Sequence, residues 1–167
     1  MPERTVETPY PLIDADPHAS RVVRYMRPSD YATWAAGTAG FPAALYFWDM
    51  ADPSKVRLRT GLRLGGLLGF IGGFMLAYQR SSFRFWGFTE NRREQEKDFA
   101  ELSQRAQAGK PLYGESTQPG WVQDIAYRNS AWSQLKFNMF PMFNFVNHPH
   151  HGTDPAKYGV QSKETSE

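Results

Sequence analysis

Two stretches of the chain carry no charged residue. Tyr31–Trp48 (YATWAAGTAGFPAALYFW) lies between Asp30 and Asp49, and Leu64–Gln79 (LGGLLGFIGGFMLAYQ) lies between Arg63 and Arg80. The second holds Gly65, Gly66, Gly69, Gly72 and Gly73. Each interior glycine costs a water-exposed helix about 1 kcal/mol relative to alanine. In a bilayer the backbone must satisfy its own hydrogen bonds, and small residues let a second backbone approach closely. The two runs therefore predict transmembrane helices over about 31–48 and 64–79. At about 1.5 Å per residue the second run reaches roughly 24 Å, short of a hydrocarbon core of about 30 Å. Arg63 and Arg80 are placed to snorkel across the difference.

Small residues recur at every fourth position in both runs. Gly61, Gly65, Gly69 and Gly73 form one row, and Ala32, Ala36, Gly40 and Ala44 form another. Either row is suited to close packing on the other span or on a helix of a partner. Pro42 would damage a helix interior in water but is tolerated in membrane helices. Tyr31, Trp34, Tyr46, Trp48, Tyr78 and Trp86 cluster near the ends of the runs, where amphipathic rings favour the headgroup region. The competing reading is a buried helical hairpin in a soluble protein, and the glycine count argues against it.

The expected fold is an all-α membrane protein: a two-helix transmembrane hairpin at 31–79 with an extended N-terminal arm and a helical or irregular, aromatic-rich C-terminal extension. The arm, 1–30, is punctuated by proline and ends in Arg21, Arg24 and Arg27 at helical spacing, a basic segment suited to the membrane surface. Residues 49–63 make a charged connection, short enough to keep the spans antiparallel. In the extramembrane region 80–154, a helix is expected from Asn91, capped by Asn91 and Glu94 and ended by Gly109 and Pro111. Phe99, Leu102 and Ala106 make its narrow apolar stripe, fit for docking or for a solvated face. Beyond Gly120, Trp121, Ile125, Trp132, Leu135 and Met139 share a helical spacing, followed by Phe137, Phe140, Phe143 and Phe145 around Pro141. Too few residues surround these rings for a private core, so the segment is expected to dock on partners or at the membrane interface. Residues 155–167 are expected to be a disordered tail.

Composition narrows the chemistry. Mean hydropathy is −0.57, an average that hides the segregation of every charged residue outside the two runs. The net charge of +2 and the lack of an arginine stripe interleaved with aromatics give no nucleic-acid footprint. Without cysteine there is no disulfide and no cysteine-ligated iron–sulfur cluster. The amino terminus, with Glu3, Glu7, Asp14 and Asp16, resembles neither a signal peptide nor an acid-poor transit peptide. The glycine run lacks the lysine and spacing of a phosphate loop. No ionisable group sits within either span, which leaves no proton relay there. His148, His150 and His151 invite a metal reading, but no carboxylate stands at a supporting spacing and Pro149 extends the chain between them. His148 is instead expected to bond at a partner surface. No catalytic residue, metal or cofactor is expected.

Three strings in order carry a resemblance: YPLIDADPHASRVVRYMRPSDY, GLRLGGLLGFIGGFMLAYQRSSFRFWG and FNMFPMFNFVNHPHHG. Together they span roughly residues 9–152, and the chain resembles the fungal 21-kDa-type accessory subunit of mitochondrial NADH:ubiquinone oxidoreductase, respiratory complex I. That family implies a multi-pass inner-membrane component without redox centres, which supports assembly and stability of the membrane arm. It implies as partners other membrane-arm subunits, among them the second antiporter-like core subunit, and membrane lipids. Two rivals stand beside it. One is a membrane-shaping or dimerisation subunit of another inner-membrane assembly such as ATP synthase, self-associating through Gly65 and Gly69. The other is a small membrane enzyme built on the histidines. Basic residues favour the flanks of the spans (Arg21, Arg24, Arg27, Arg80, Arg84, Arg92, Arg93) over the connection (Lys55, Arg57, Arg59, Arg63), placing both termini towards the matrix.

Overall fold

A computed structural model of the chain describes residues 6–51, 58–133, 135 and 142–159. It is helical, with no strand among the described residues: α1 (Ala19–Arg24), α2 (Pro28–Ala51), α3 (Leu58–Phe85), α4 (Arg92–Gln107), α5 (Gly120–Ser130) and a 3-10 turn at Pro155–Tyr158. The chain divides into two compact units. One is Tyr25–Ser81, and the other joins Met1–Arg24 to Ser82–Glu167.

The first of these units is an antiparallel pair, α2 against most of α3. Helix α2 starts with Pro28 at its first position, where the missing N–H costs nothing. The Asp30 carboxylate accepts from the Arg27 N–H at 2.8 Å and holds that turn. Both helices overrun the expected spans, so part of the expected connection 49–63 is helical, at 49–51 and 58–63. The glycines set the distance between the helices. A Cβ on Gly65, Gly69 or Gly73 would stand 2.6, 2.6 and 2.7 Å from atoms of α2, the last two against backbone carbonyls. The matching residue on α2 is Gly37, whose Cβ would lie 2.8 Å from the Gly73 Cα. Trp34 fits the notch left by Gly73, donates its indole N–H to the Phe70 carbonyl at 3.0 Å, and meets the rings of Phe70 and Phe74 at 5.1 and 5.0 Å. Pro42 has no N–H to offer the carbonyl of Thr38. That carbonyl lies beside Gly69, 3.0 Å from where its Cβ would be. Beyond the charge-free runs, Arg80 Nε reaches the buried Asp30 Oδ1 at 3.3 Å and ties the far end of the pair.

The alanine row has a different fate. Ala32, Ala36, Gly40 and Ala44 are all exposed, and Gly40 has no atom within 4 Å of a Cβ built on it. The outer face of α3 is also exposed but carries the large side chains Leu67, Leu68, Phe70, Ile71 and Leu76. Among the described residues only α3 is long and apolar enough by hydropathy to cross a membrane. The pair thus holds one candidate span by hydropathy, α3, and a packed companion, α2. The alanines, glycines, aromatics and proline of α2 are uncharged but score weakly as hydrophobes.

In the other unit the arm runs along the end of α3 and meets the C-terminal segment. Tyr10 N–H donates to the Gly87 carbonyl (3.0 Å), Ile13 to Phe85 (2.9 Å), Ala15 to His151 (2.9 Å) and Ala19 to Asn144 (2.7 Å). Gly87 has φ 77°, and a Cβ there would collide with the Tyr10 carbonyl, so both backbone conformation and close approach select glycine. Ile13, Val22, Phe85, Trp86 and Leu102 form the apolar core, and the Trp86 indole donates to the Ala15 carbonyl at 3.0 Å. The capping expectation for α4 fails at the side chain. Asn91 is the N-cap residue but donates to the carbonyls of Pro11 and Arg84, both at 2.8 Å, and Glu94 faces Arg84. Anchoring the arm has displaced the local cap. The tail is also ordered further than expected: Asp154 caps the 3-10 turn through the Ala156 N–H, and Tyr158 is buried.

Candidate functional site

The arm delivers two carboxylates into the interior of its unit. In the string Ile13–Asp14–Ala15–Asp16–Pro17 all five residues are buried. Asp14 Oδ1 accepts from the Asp16 N–H (3.0 Å) and faces His151 Nδ1 (2.8 Å), while Oδ2 accepts from Arg21 Nη1 (2.9 Å). Burial pushes the Asp14 carboxyl up, but His151 and Arg21 beside it prevail and hold it below the usual carboxylate value. Asp16 Oδ2 accepts from Ser130 Oγ (2.5 Å) and from His148 Nε2 (2.8 Å). There burial prevails, and the carboxyl is raised despite both bonds.

The histidines are held by the same segment. His148 Nδ1 accepts from the His150 N–H (3.1 Å), which leaves Nε2 to carry the hydrogen and donate to Asp16. His151 Nε2 faces the His148 carbonyl (2.7 Å), and its ring stacks on Tyr113 at 3.5 Å. His150 is outside this core and meets Asp124 at 3.0 Å on the surface. From α4, Asp98 completes the network: Arg21 Nη2 bonds its Oδ1, and Tyr158 donates its hydroxyl to Oδ2 at 2.5 Å. Burial raises the Asp98 carboxyl and, with that hydrogen bond, the Tyr158 hydroxyl; burial and then Asp14 push Tyr113 up to about 12.

The network ties the arm to α1, α4 and the C-terminal segment. Each carboxylate is satisfied from two or three sides, and no group of three His, Cys, Asp or Glu side chains among the described residues is placed to hold a metal. His148 is corrected from a partner-surface residue to a buried internal bond. The supporting carboxylates do exist, 132 and 137 residues away in the chain, where no spacing rule looks.

The expected docking residues divide. Trp121 and Phe145 are 67% and 72% exposed, and Ile125, Leu135 and Met142 are also exposed. Trp132 turns inward: with φ 55° it leaves the helical path of α5, and its ring meets Trp86 at 5.3 Å and Phe88 at 6.4 Å. Helix α5 itself ends at Ser130, and Met139 lies outside the described residues. Phe143 is half-buried with its ring 6.1 Å from Phe145, while Phe137 and Phe140 lie outside the described residues. Gly65, Gly69 and Gly73 are occupied by α2, which leaves the exposed row Ala32, Ala36, Gly40 and Ala44 as the close-packing surface without a neighbour in its unit. Gly61 is half-buried.

Comparison with known proteins is consistent along the chain. The family described as NADH-ubiquinone oxidoreductase complex I, 21 kDa subunit, matches residues 7–90, and the C-terminal family of the same 21 kDa subunit matches residues 99–167. The NADH-ubiquinone oxidoreductase 20.9 kDa subunit of Neurospora crassa is 47% identical over 163 residues, covering 96% of this chain and 86% of that protein.

Proposed function

The chain belongs to the family of 21 kDa subunits of NADH-ubiquinone oxidoreductase, complex I, and we propose that it is a non-catalytic accessory subunit supporting assembly and stability of the membrane arm. The family ties it to the mitochondrial inner membrane. Helix α3 is the span, and α2, charge-free from Tyr31 to Trp48 and packed along the glycine seam, crosses beside it. Both termini lie towards the matrix, and protease access in mitoplasts reads that orientation.

One observation carries the reading. In the charge-free run of α3 the exposed positions all carry large apolar side chains, whereas α2 exposes, beside Tyr31, Phe41, Leu45, Tyr46, Phe47 and Trp48, the row of small residues Ala32, Ala36, Gly40 and Ala44. Lipid accommodates the first, whereas small residues let another helix backbone approach. The α2 row is accordingly the contact for a membrane helix of a neighbouring subunit, with the second antiporter-like core subunit as the candidate. In the other unit, the exposed Trp121, Ile125 and Phe145 are a separate contact for partners, and no active site or cofactor is assigned to the chain. Self-association through Gly65 and Gly69, as in a dimerising subunit of another assembly, has no support, because α2 fills that groove.

The test is an Ala36→Leu, Gly40→Leu double variant, compared with Gly66→Ala at a position with open space. The double variant is expected to reduce co-migration with NADH dehydrogenase activity on a native gel several-fold while the control is unaffected. Normal incorporation of the double variant would remove α2 as the docking face.

A further inference from the structure

Between α1, α4, the 112–114 turn and the 144–151 segment opens a cavity of about 240 Å³, lined only by residues of the unit of the arm and the C-terminal segment. Three arginines line it, and Arg105 Nη1 also donates to the Leu112 carbonyl at 3.0 Å. Arg21 is buried and divided between Asp14 and Asp98. Arg24 and Arg105 also line the cavity, with side chains 53% and 37% exposed. The two guanidinium groups converge on a single carboxylate oxygen, Glu101 Oε1, with Nη2 distances of 2.6 and 3.3 Å. Just outside, Lys97 Nζ bonds the Arg24 carbonyl, and its amine is held below the usual lysine value by burial and then by Arg24. His18 and Asn147 add further hydrogen-bonding groups to the lining.

We propose that this cavity binds a phosphate ester, held by Arg24 and Arg105 with His18 and Asn147, and that Glu101 is its internal competitor. Two arginines meeting at one oxygen is the geometry in which guanidinium groups grip phosphate. The volume falls below the roughly 300–1,000 Å³ of pockets for drug-sized ligands. It therefore suits a phosphoryl group with a glycerol-sized attachment and excludes a dinucleotide. The same chemistry is offered by a soluble phosphate ester and by a phospholipid headgroup.

The experiment is calorimetric titration of the full chain in neutral detergent, at matched ionic strength, with inorganic phosphate, glycerol 3-phosphate and short-chain phosphatidylglycerol. At least one of the three is expected to bind saturably. Arg24→Gln should weaken binding tenfold or more, and Glu101→Gln should tighten it several-fold by removing the competitor. Binding of the two soluble probes identifies a free phosphate ester, and binding of phosphatidylglycerol alone identifies a lipid headgroup. No binding of any probe, or affinities unchanged in both variants, overturns the proposal. If Arg24→Gln fails to fold, judged by circular dichroism, Glu101→Gln decides the question, since a purely structural Glu101 would give no gain in affinity.

Discussion

Asp14 and Asp16 sit two positions apart and meet opposite fates, which makes them separable by titration. The lowered Asp14 carboxyl contributes stability that is present above the unfolded carboxylate value of about 3.9 and is lost as pH falls through its folded value. Asp14→Asn removes one of the two carboxylates that hold the buried Arg21, leaving it Asp98 alone, and is expected to cost about 3 kcal/mol at neutral pH. That cost should shrink towards zero in acid, as measured by thermal or urea unfolding of the solubilised chain. The raised Asp16 carboxyl has the reverse sign: its stabilisation belongs to the acid side and is lost as pH rises through the folded value. Asparagine imitates the protonated form and can still accept from Ser130 and His148. Asp16→Asn should therefore cost less than about 1 kcal/mol at pH 7, and its standing relative to wild type should improve with rising pH. Neither role was visible in the sequence. The histidine cluster stood out by spacing, but its carboxylates arrive through tertiary contacts, and local patterns carry no sign of them.

Among the elements, the glycine spacing of α3 did announce a packing face, because a four-residue period puts Gly65, Gly69 and Gly73 in one row whatever the partner. It did not identify what fills the row. Gly37 and Trp34 meet it, one lacking a side chain and the other filling a notch, and neither belongs to the alanine row that matched the ladder by period. Two rows with equal spacing are equivalent in sequence, and only the register of the pair decides which turns inward. Gly69→Ala should loosen the pair, since the new methyl meets two backbone carbonyls, and should lower the thermal midpoint by several degrees. Gly66→Ala, facing open space, should instead gain up to about 1 kcal/mol from helix propensity. A midpoint unchanged by Gly69→Ala would mean that the seam does not hold the helices together. The failed cap at Asn91 has a similar origin: the residue type was right for a cap, but tertiary partners claimed the side chain.

Across the whole molecule, one unit is continuous in sequence and the other is assembled from two distant segments. The hairpin was legible because its signals are local. The arm's unit was not, and its two halves were expected to act separately, one on the membrane surface and one on partners. Deletion of residues 1–16 should release more than the arm: the 142–159 segment loses Asp14, Asp16 and the Ala15 backbone bond, and should become sensitive to limited proteolysis while Tyr25–Ser81 stays protected. Protection of 142–159 in that deletion would contradict the coupling. The separation also imposes an order in time. Chains are made from the amino terminus, and contacts distant in sequence form late. Asp14 and Asp16 must therefore wait for their imidazole partners until His148 and His151 have been synthesised. A chain stopped short of residue 148 would keep its hairpin yet leave those acids without their imidazole partners, giving quality-control machinery a chemical distinction between finished and unfinished copies before either meets a neighbour.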